Sequence, residues 1–288
     1  MKKLIVTGAK GMLGQALCAC APCAEQTFAL DVEEMDITDA RAVDRMFALI
    51  KPHSVIHTAA YTQVDKAESD RDAARRVNRD GCRNIAAACK RHGAYLVAVS
   101  TDYVYDGDKA DPYSEDDAPN PQSVYGLTKL QGEQAIADTL EYYSIVRTSW
   151  LYGPWGGNFV NTMLRLAQTK PKLQVVADQC GSPTYSFDLA RALLLLALFP
   201  LKKQRCYLFA NSGYTNWAAF AQTIFKQAGL NTQVEPIATS AYPTAAQRPK
   251  NSRFVLDRFI RDTGFAPRTW QAALREYLRL YGSVAGAR

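Results

Sequence analysis

The chain has 288 residues, of which 48% are hydrophobic and 22% charged. This is ordinary globular composition, and the length suits one large domain or one domain with a second lobe. It excludes disorder, collagen-like repeats and coiled coils, and the longest strongly apolar stretch, Ala192 to Phe199, is far short of the roughly 20 residues a membrane span needs. The net charge of +6, from 34 basic and 28 acidic residues, is interleaved without single-sign runs. No nucleic-acid surface is therefore expected, whereas a small, multiply phosphorylated ligand suits the bias.

Met1-Lys2-Lys3 is followed by three apolar residues before Thr7-Gly8. That is too few for a secretory h-region, so a cytoplasmic location is expected, with no membrane partner. The seven cysteines are an odd number. Cys18-x-Cys20-x-x-Cys23 has no second Cys/His pair at zinc spacing. Reduced thiols and no metal site are expected.

The first half alternates strand and helix. Lys3–Val6 is a short apolar strand, Met12–Cys20 is helical, and Thr27–Leu30 is a second strand ending at Asp31. Thr38 is a candidate cap for a helix running to about Ile50. Ser54–His57 is the third strand and Ala67–His92 one long helical stretch, on which Cys82 and Cys89 share the core-facing side. Tyr95–Val99 is the fourth strand, an unbroken apolar run of the kind covered on both faces. Val124–Leu140 is helical and Tyr143–Arg147 is another strand. Regular alternation predicts an α/β fold, a Rossmann-type doubly wound parallel sheet.

Past residue 150 the pattern is irregular. Helices are expected near Phe159–Thr169, Phe187–Leu198, Trp217–Ala228 and Trp270–Tyr281, with short strands at Leu173–Val176, Cys206–Phe209 and Gln233–Ile237. The expected division is a dinucleotide-binding domain over 1–150, rejoined by about 185–212. A smaller mixed α/β substrate-binding lobe takes 151–184 and 213–288.

Two motifs carry chemistry. Gly8-x-x-Gly11-x-x-Gly14 follows the first strand and opens the first helix. There glycines permit a tight turn, and free N–H groups of the helix face a pyrophosphate. Asp31, about 20 residues on, suits an adenine-ribose hydroxyl and favours NADH; Lys10 in the glycine loop offsets this, so NADPH or NADH stays open. Asp36 and Ile37 are candidates for the adenine edge. Tyr125-x-x-x-Lys129 puts a phenol and an ammonium on one helix face. The ammonium is expected to lower the tyrosine pKa and to hold the nicotinamide ribose. Ser100-Thr101 follows the fourth strand, at the sheet edge where ligands of such folds bind. The Thr101 hydroxyl can there join Tyr125 on a substrate carbonyl. His57 reads as a hydrogen-bonded residue at a strand end rather than a base.

Longer segments accompany these: Ala59-Ala60-Tyr61-Thr62-Gln63-Val64-Asp65, Ser100-Thr101-Asp102-Tyr103, Arg147-Thr148-Ser149-Trp150, Asp178-Gln179 with Gly181-Ser182-Pro183-Thr184, and Arg248-Pro249-Lys250-Asn251-Ser252. In that order the chain resembles the extended short-chain dehydrogenase/reductases that act on nucleotide sugars. The resemblance implies reduction, by NADPH or NADH, of the C4 keto group of dTDP-4-dehydro-L-rhamnose. It makes Tyr125 the proton donor, Lys129 its partner and Thr101 the second hydroxyl on the keto oxygen. It places Gly8, Gly11, Met12, Leu13 and Gly14 at the pyrophosphate, Asp31 and Val32 at the adenosine ribose, and Ala59, Ala60, Tyr61 and Ser100 along the cofactor. Thr62, Val64 and Trp150 would touch substrate, and Arg248 and Asn251 the nucleotide diphosphate.

A 4,6-dehydratase of this superfamily needs an Asp-Glu pair after the threonine, and Thr101 is followed by Asp102-Tyr103. Another nucleotide-sugar reductase, an epimerase, or a non-catalytic subunit resembling the methionine adenosyltransferase β subunit remain open alternatives. Some family members form homodimers with bound Mg²⁺; the sequence has no diagnostic carboxylate cluster for that ion.

Overall fold

The computed structural model describes residues 2–201 and 203–285; residues 1, 202 and 286–288 of the ranges expected above lie outside it. The strands are β1 (Leu4–Thr7), β2 (Thr27–Leu30), β3 (Ser54–His57), β4 (Tyr95–Thr101), β5 (Tyr143–Thr148), β6 (Leu151–Tyr152), β7 (Lys172–Val176), β8 (Cys180–Gly181), β9 (Thr184–Tyr185), β10 (Gln204–Phe209), β11 (Thr215–Asn216), β12 (Gln233–Ile237) and β13 (Asn251–Ser252). The helices are α1 (Met12–Cys20), α2 (Ala40–Ile50), α3 (Val64–Ala67), α4 (Arg71–Arg75), α5 (Cys82–His92), α6 (Val124–Ala137), α7 (Phe159–Ala167), α8 (Ser186–Leu198), α9 (Trp217–Ala228), α10 (Asp257–Thr263) and α11 (Trp270–Ala285).

Six strands form one parallel sheet in the order β10-β5-β4-β3-β1-β2. Every residue of β1, β3 and β5 is buried, because helices cover both faces. One face packs Ile5, Val55, Leu96 and Ile145 against α2, α5 and α6. The other packs Val6, Ile56 and Val97 against α1 and α8. Cys82 and Cys89 are both buried in the first of these cores. The chain runs from β1 outward to β2 and then returns to β3 on the other side. The point where strand order reverses, between β1 and β3, is where such sheets bind ligands. β10 returns to the sheet beside β5, as expected. A third core gathers α7, α9, α11 and β7 around Tyr152, Phe220, Ile224 and Tyr277. No helix among the described residues is long and apolar enough to cross a membrane.

Three local expectations need correction. The stretch 67–92 is not one helix. α3 ends at Ala67, and the helix restarting at Arg71 carries a π-helical insertion, Arg76–Gly81. The insertion turns Asn78 inward, where it is buried and its amide bonds both Tyr61 and Thr128; π-bulges commonly serve such local needs. The cap of α2 is Asp39, which accepts from the Arg41 N–H at 2.8 Å, because the Thr38 hydroxyl is engaged by Asp36. β4 extends through Thr101, so Ser100 and Thr101 end the strand rather than follow it.

Candidate active site

The carboxyl ends of β1, β3 and β4, the start of α1 and one face of α6 enclose a cleft of about 740 Å³, within the range of small-ligand sites. At its floor Gly8 has φ +65°, and a Cβ there would lie 2.7 Å from the Ala59 backbone, so only glycine lets the β1 and β3 ends approach this closely. Gly11 caps α1 without a side-chain hydrogen bond. The first-turn N–H groups of α1 therefore point into the cleft without a side-chain partner, a ready anion site. Asp31 is held by the backbone: its carboxylate accepts from the N–H of Lys10 at 2.8 Å and of Val32 at 2.9 Å. The Lys10 ammonium pairs with Glu33. Glycine cradle, helix N-terminus and oriented acid together suit a dinucleotide.

Of the expected cofactor residues, Gly8, Lys10, Gly11, Met12, Leu13, Gly14, Asp31, Val32, Asp36, Ile37, Ala59, Ala60 and Ser100 all line this cleft. Tyr61 does not. Its backbone N–H and C=O are both taken by Asn78, and its hydroxyl donates to Asp70, which turns it away.

Tyr125, Lys129 and Thr101 meet in the same cleft. Ser123 caps α6, accepting from the Gly126 N–H, and so fixes where the Tyr125–Lys129 face begins. The expected electrostatics are reversed. Burial pushes the Tyr125 phenol up to about 12, opposed by a hydrogen bond with Thr101 and reinforced by the charge of Asp102. The Lys129 ammonium is directed elsewhere. The Lys129 ammonium is buried and donates to the Val99 carbonyl at 2.7 Å, and burial lowers its pKa. Beneath it lies a buried network: Ser100 donates to Glu133, and Arg147 donates to both Glu133 oxygens and to the Tyr105 hydroxyl. His57 is neutral, with burial driving its pKa down to about 3, and its ring bonds Thr7 at 2.7 Å. It is the strand-end residue expected, not a base.

Thr62, Val64 and Trp150 also line the cleft; Arg248 and Asn251 do not. Arg248 pairs with Asp65. The Asn251 amide donates to the Lys109 and Asp111 carbonyls and accepts from Arg253, which saturates it within the protein.

Sequence reasoning missed several lining residues, among them Met35, Thr58, Val77, Asp102, Tyr103 and Ser149. Asp102 is the most consequential. It is buried beside Thr101, accepts from Thr101 at 3.0 Å and from Ser252, and burial raises its pKa to about 6. Its place directly after Thr101 was the available signal. Among the described residues, no group of three or more His, Cys, Asp or Glu is arranged to hold a metal ion.

Residues 1–282 match the family model described as the RmlD substrate binding domain. The chain is 42% identical to a spore coat polysaccharide biosynthesis protein of Bacillus subtilis, covering 97% of this chain and 98% of that protein. It is 39% identical to a dTDP-4-dehydrorhamnose reductase of Aggregatibacter actinomycetemcomitans, over 98% and 99% of the two chains. A solved dTDP-4-dehydrorhamnose reductase from Bacillus anthracis, in complex with NADP, superposes with a TM-score of 0.92 at 40% identity, over 97% of this chain and all of that one.

Proposed function

The chain belongs to the RmlD substrate binding domain family, and from that premise we propose that it reduces the C4 keto group of dTDP-4-dehydro-L-rhamnose to give dTDP-L-rhamnose, with NADPH or NADH as reductant. The observation that carries this reading is the meeting, in one cleft, of a dinucleotide cradle with the Tyr125 and Thr101 hydroxyls.

A bound reduced nicotinamide supplies the hydride. The protein supplies the proton and the electrostatics. With its phenol held up to about 12, Tyr125 is protonated at neutral pH, the form a donor to a developing alkoxide needs. Thr101 beside it carries a second hydroxyl, which here donates to Asp102; in the reaction it would turn that proton to the keto oxygen and help meet the negative charge. Lys129 directs one N–H to Val99 and keeps two for the nicotinamide ribose. The free N–H groups at the start of α1 take the pyrophosphate and Asp31 a ribose hydroxyl. Thr62, Val64 and Trp150 face the sugar. In this reading residues 1–150 with about 185–212 hold the dinucleotide and present Thr62, Val64, Thr101 and Trp150 to the sugar, while the lobe of 151–184 and 213–285 adds Leu151 and Gly157 to the cleft. In this reading the enzyme works in the cytoplasm, a reducing compartment that suits an odd number of cysteines.

The test is oxidation of NADPH and NADH, followed by absorbance, with enzymatically generated dTDP-4-dehydro-L-rhamnose and product identification by NMR. Stoichiometric oxidation yielding dTDP-L-rhamnose is expected. Dinucleotide binding without net oxidation would overturn the proposal in favour of an epimerase or a binding subunit.

A further inference from the structure

The segment from Asp178 to Thr184 has no place in the chemistry above, yet it surrounds a strained aromatic residue. Trp150 has φ +48°, a left-handed conformation that costs an L residue free energy and persists only where neighbours over-determine it. Those neighbours come from this segment. The Thr184 N–H donates to the Trp150 carbonyl at 3.1 Å, and the adjacent Ser149 hydroxyl donates to the Ser182 carbonyl at 3.1 Å. At Gly181 a Cβ would lie 2.6 Å from Trp150 Cε2, so glycine leaves the room the indole occupies.

The indole also stacks on Trp217, with centroids 3.5 Å apart and planes 12° from parallel. Trp217 is itself pinned. Its Nε1–H donates to Gln179 Oε1 at 3.1 Å, Gln179 Nε2 donates to Thr239 Oγ1 at 3.0 Å, and Thr239 Oγ1 donates to Asp178 Oδ1 at 2.6 Å. An indole N–H can only donate and an ionised carboxylate can only accept. The direction of the whole chain is thereby forced, and with it the orientation of the buried Gln179 amide. Two aromatic faces and a one-way hydrogen-bond chain thus fix one wall of the cleft.

We propose that Gln179, Gly181 and Trp217 are positioning residues that hold Trp150 as a rigid wall for the sugar ring, and so set affinity for the sugar nucleotide rather than for the dinucleotide. This rests on the reading of the cleft given above. None of the three lines the cleft; they act through Trp150.

The experiment compares Gln179→Leu, Gly181→Ala, Trp217→Ala and Trp217→Phe with the unsubstituted protein. The readouts are KM and kcat for dTDP-4-dehydro-L-rhamnose, the Kd of NADH, and far-UV circular dichroism, in which the coupled Bb transitions of a stacked indole pair give an exciton signal. Gln179→Leu, Gly181→Ala and Trp217→Ala are expected to raise the sugar KM about tenfold or more, with kcat falling less and NADH affinity retained. The exciton signal disappears in Trp217→Ala and weakens in the other two. Trp217→Phe keeps an aromatic face and recovers most of the affinity. Trp217 also packs on Phe159 and Phe220. If Trp217→Ala unfolds, Gln179→Leu, which leaves those contacts in place, decides. An active unsubstituted protein whose sugar KM is unmoved by Gln179→Leu and Gly181→Ala overturns the inference alone. An unsubstituted protein that cannot turn over the sugar overturns the functional reading and this inference together.

Discussion

Replacing Asp102 with asparagine isolates the electrostatic cost of building this cleft. The carboxyl is buried beside Thr101 and Ser252, and burial lifts its pKa from 3.8 to about 6. The folded protein therefore holds this proton more tightly than the unfolded chain does. Below about pH 4 both states are protonated and the residue costs nothing. As pH rises from 4 to 6 the unfolded chain gains the freedom to ionise in water, and folding stability falls. Above about pH 6 the penalty is constant. At ~1.4 kcal/mol per pKa unit, it amounts to about 3 kcal/mol. The asparagine side chain is uncharged, nearly the same shape, and able to bond the same two hydroxyls once they rotate. Urea unfolding from pH 4 to pH 8 is the assay. The Asp102→Asn variant should match the unsubstituted protein near pH 4, gain on it through pH 6, and stay ahead by up to about 3 kcal/mol above that. A stability difference that does not change with pH in this window would refute the reasoning, since Asp102 would then not titrate there.

Tyr125→Phe removes the proton donor while leaving the ring in place. Turnover should be abolished with NADH affinity nearly intact, as read by steady-state kinetics and fluorescence titration. Glu133→Leu strands the Arg147 guanidinium, whose side chain is 7% exposed, and should cost about 3–5 kcal/mol in urea unfolding. The double variant Glu133→Leu, Arg147→Met should recover most of that loss, because no charge is left unpaired; strictly additive losses would argue against a coupled pair. Gly8→Ala forces a Cβ against the Ala59 backbone in a left-handed residue. Calorimetric titration should show dinucleotide binding weakened about tenfold or more, with the sugar-facing residues unaffected.

The βα alternation, the strand that becomes β10 and the two motifs on which the site is built were all legible in the amino-acid order. These are local facts: apolar runs, glycine spacing and a four-residue helical repeat are written in neighbouring residues. The same local pattern placed His57 as a strand-end residue and put Cys82 and Cys89 in the core. Other features needed distant segments brought together. The lowered tyrosine pKa expected from Lys129 failed because the ammonium turns to Val99, while burial and Asp102 act on Tyr125 instead. Spacing on a helix shows which side chains share a face, not how much water surrounds them or which carbonyl competes for them. Tyr61, Arg248 and Asn251 sit in segments that resemble those of the family, yet each is bonded inside the protein by Asn78, Asp65 and the 109–111 backbone. The support of Trp150 by residues 178–184 and 217 was equally out of reach. It depends on backbone strain and on ring stacking between Trp150 and Trp217, far apart in the chain, and only the folded structure sets those distances.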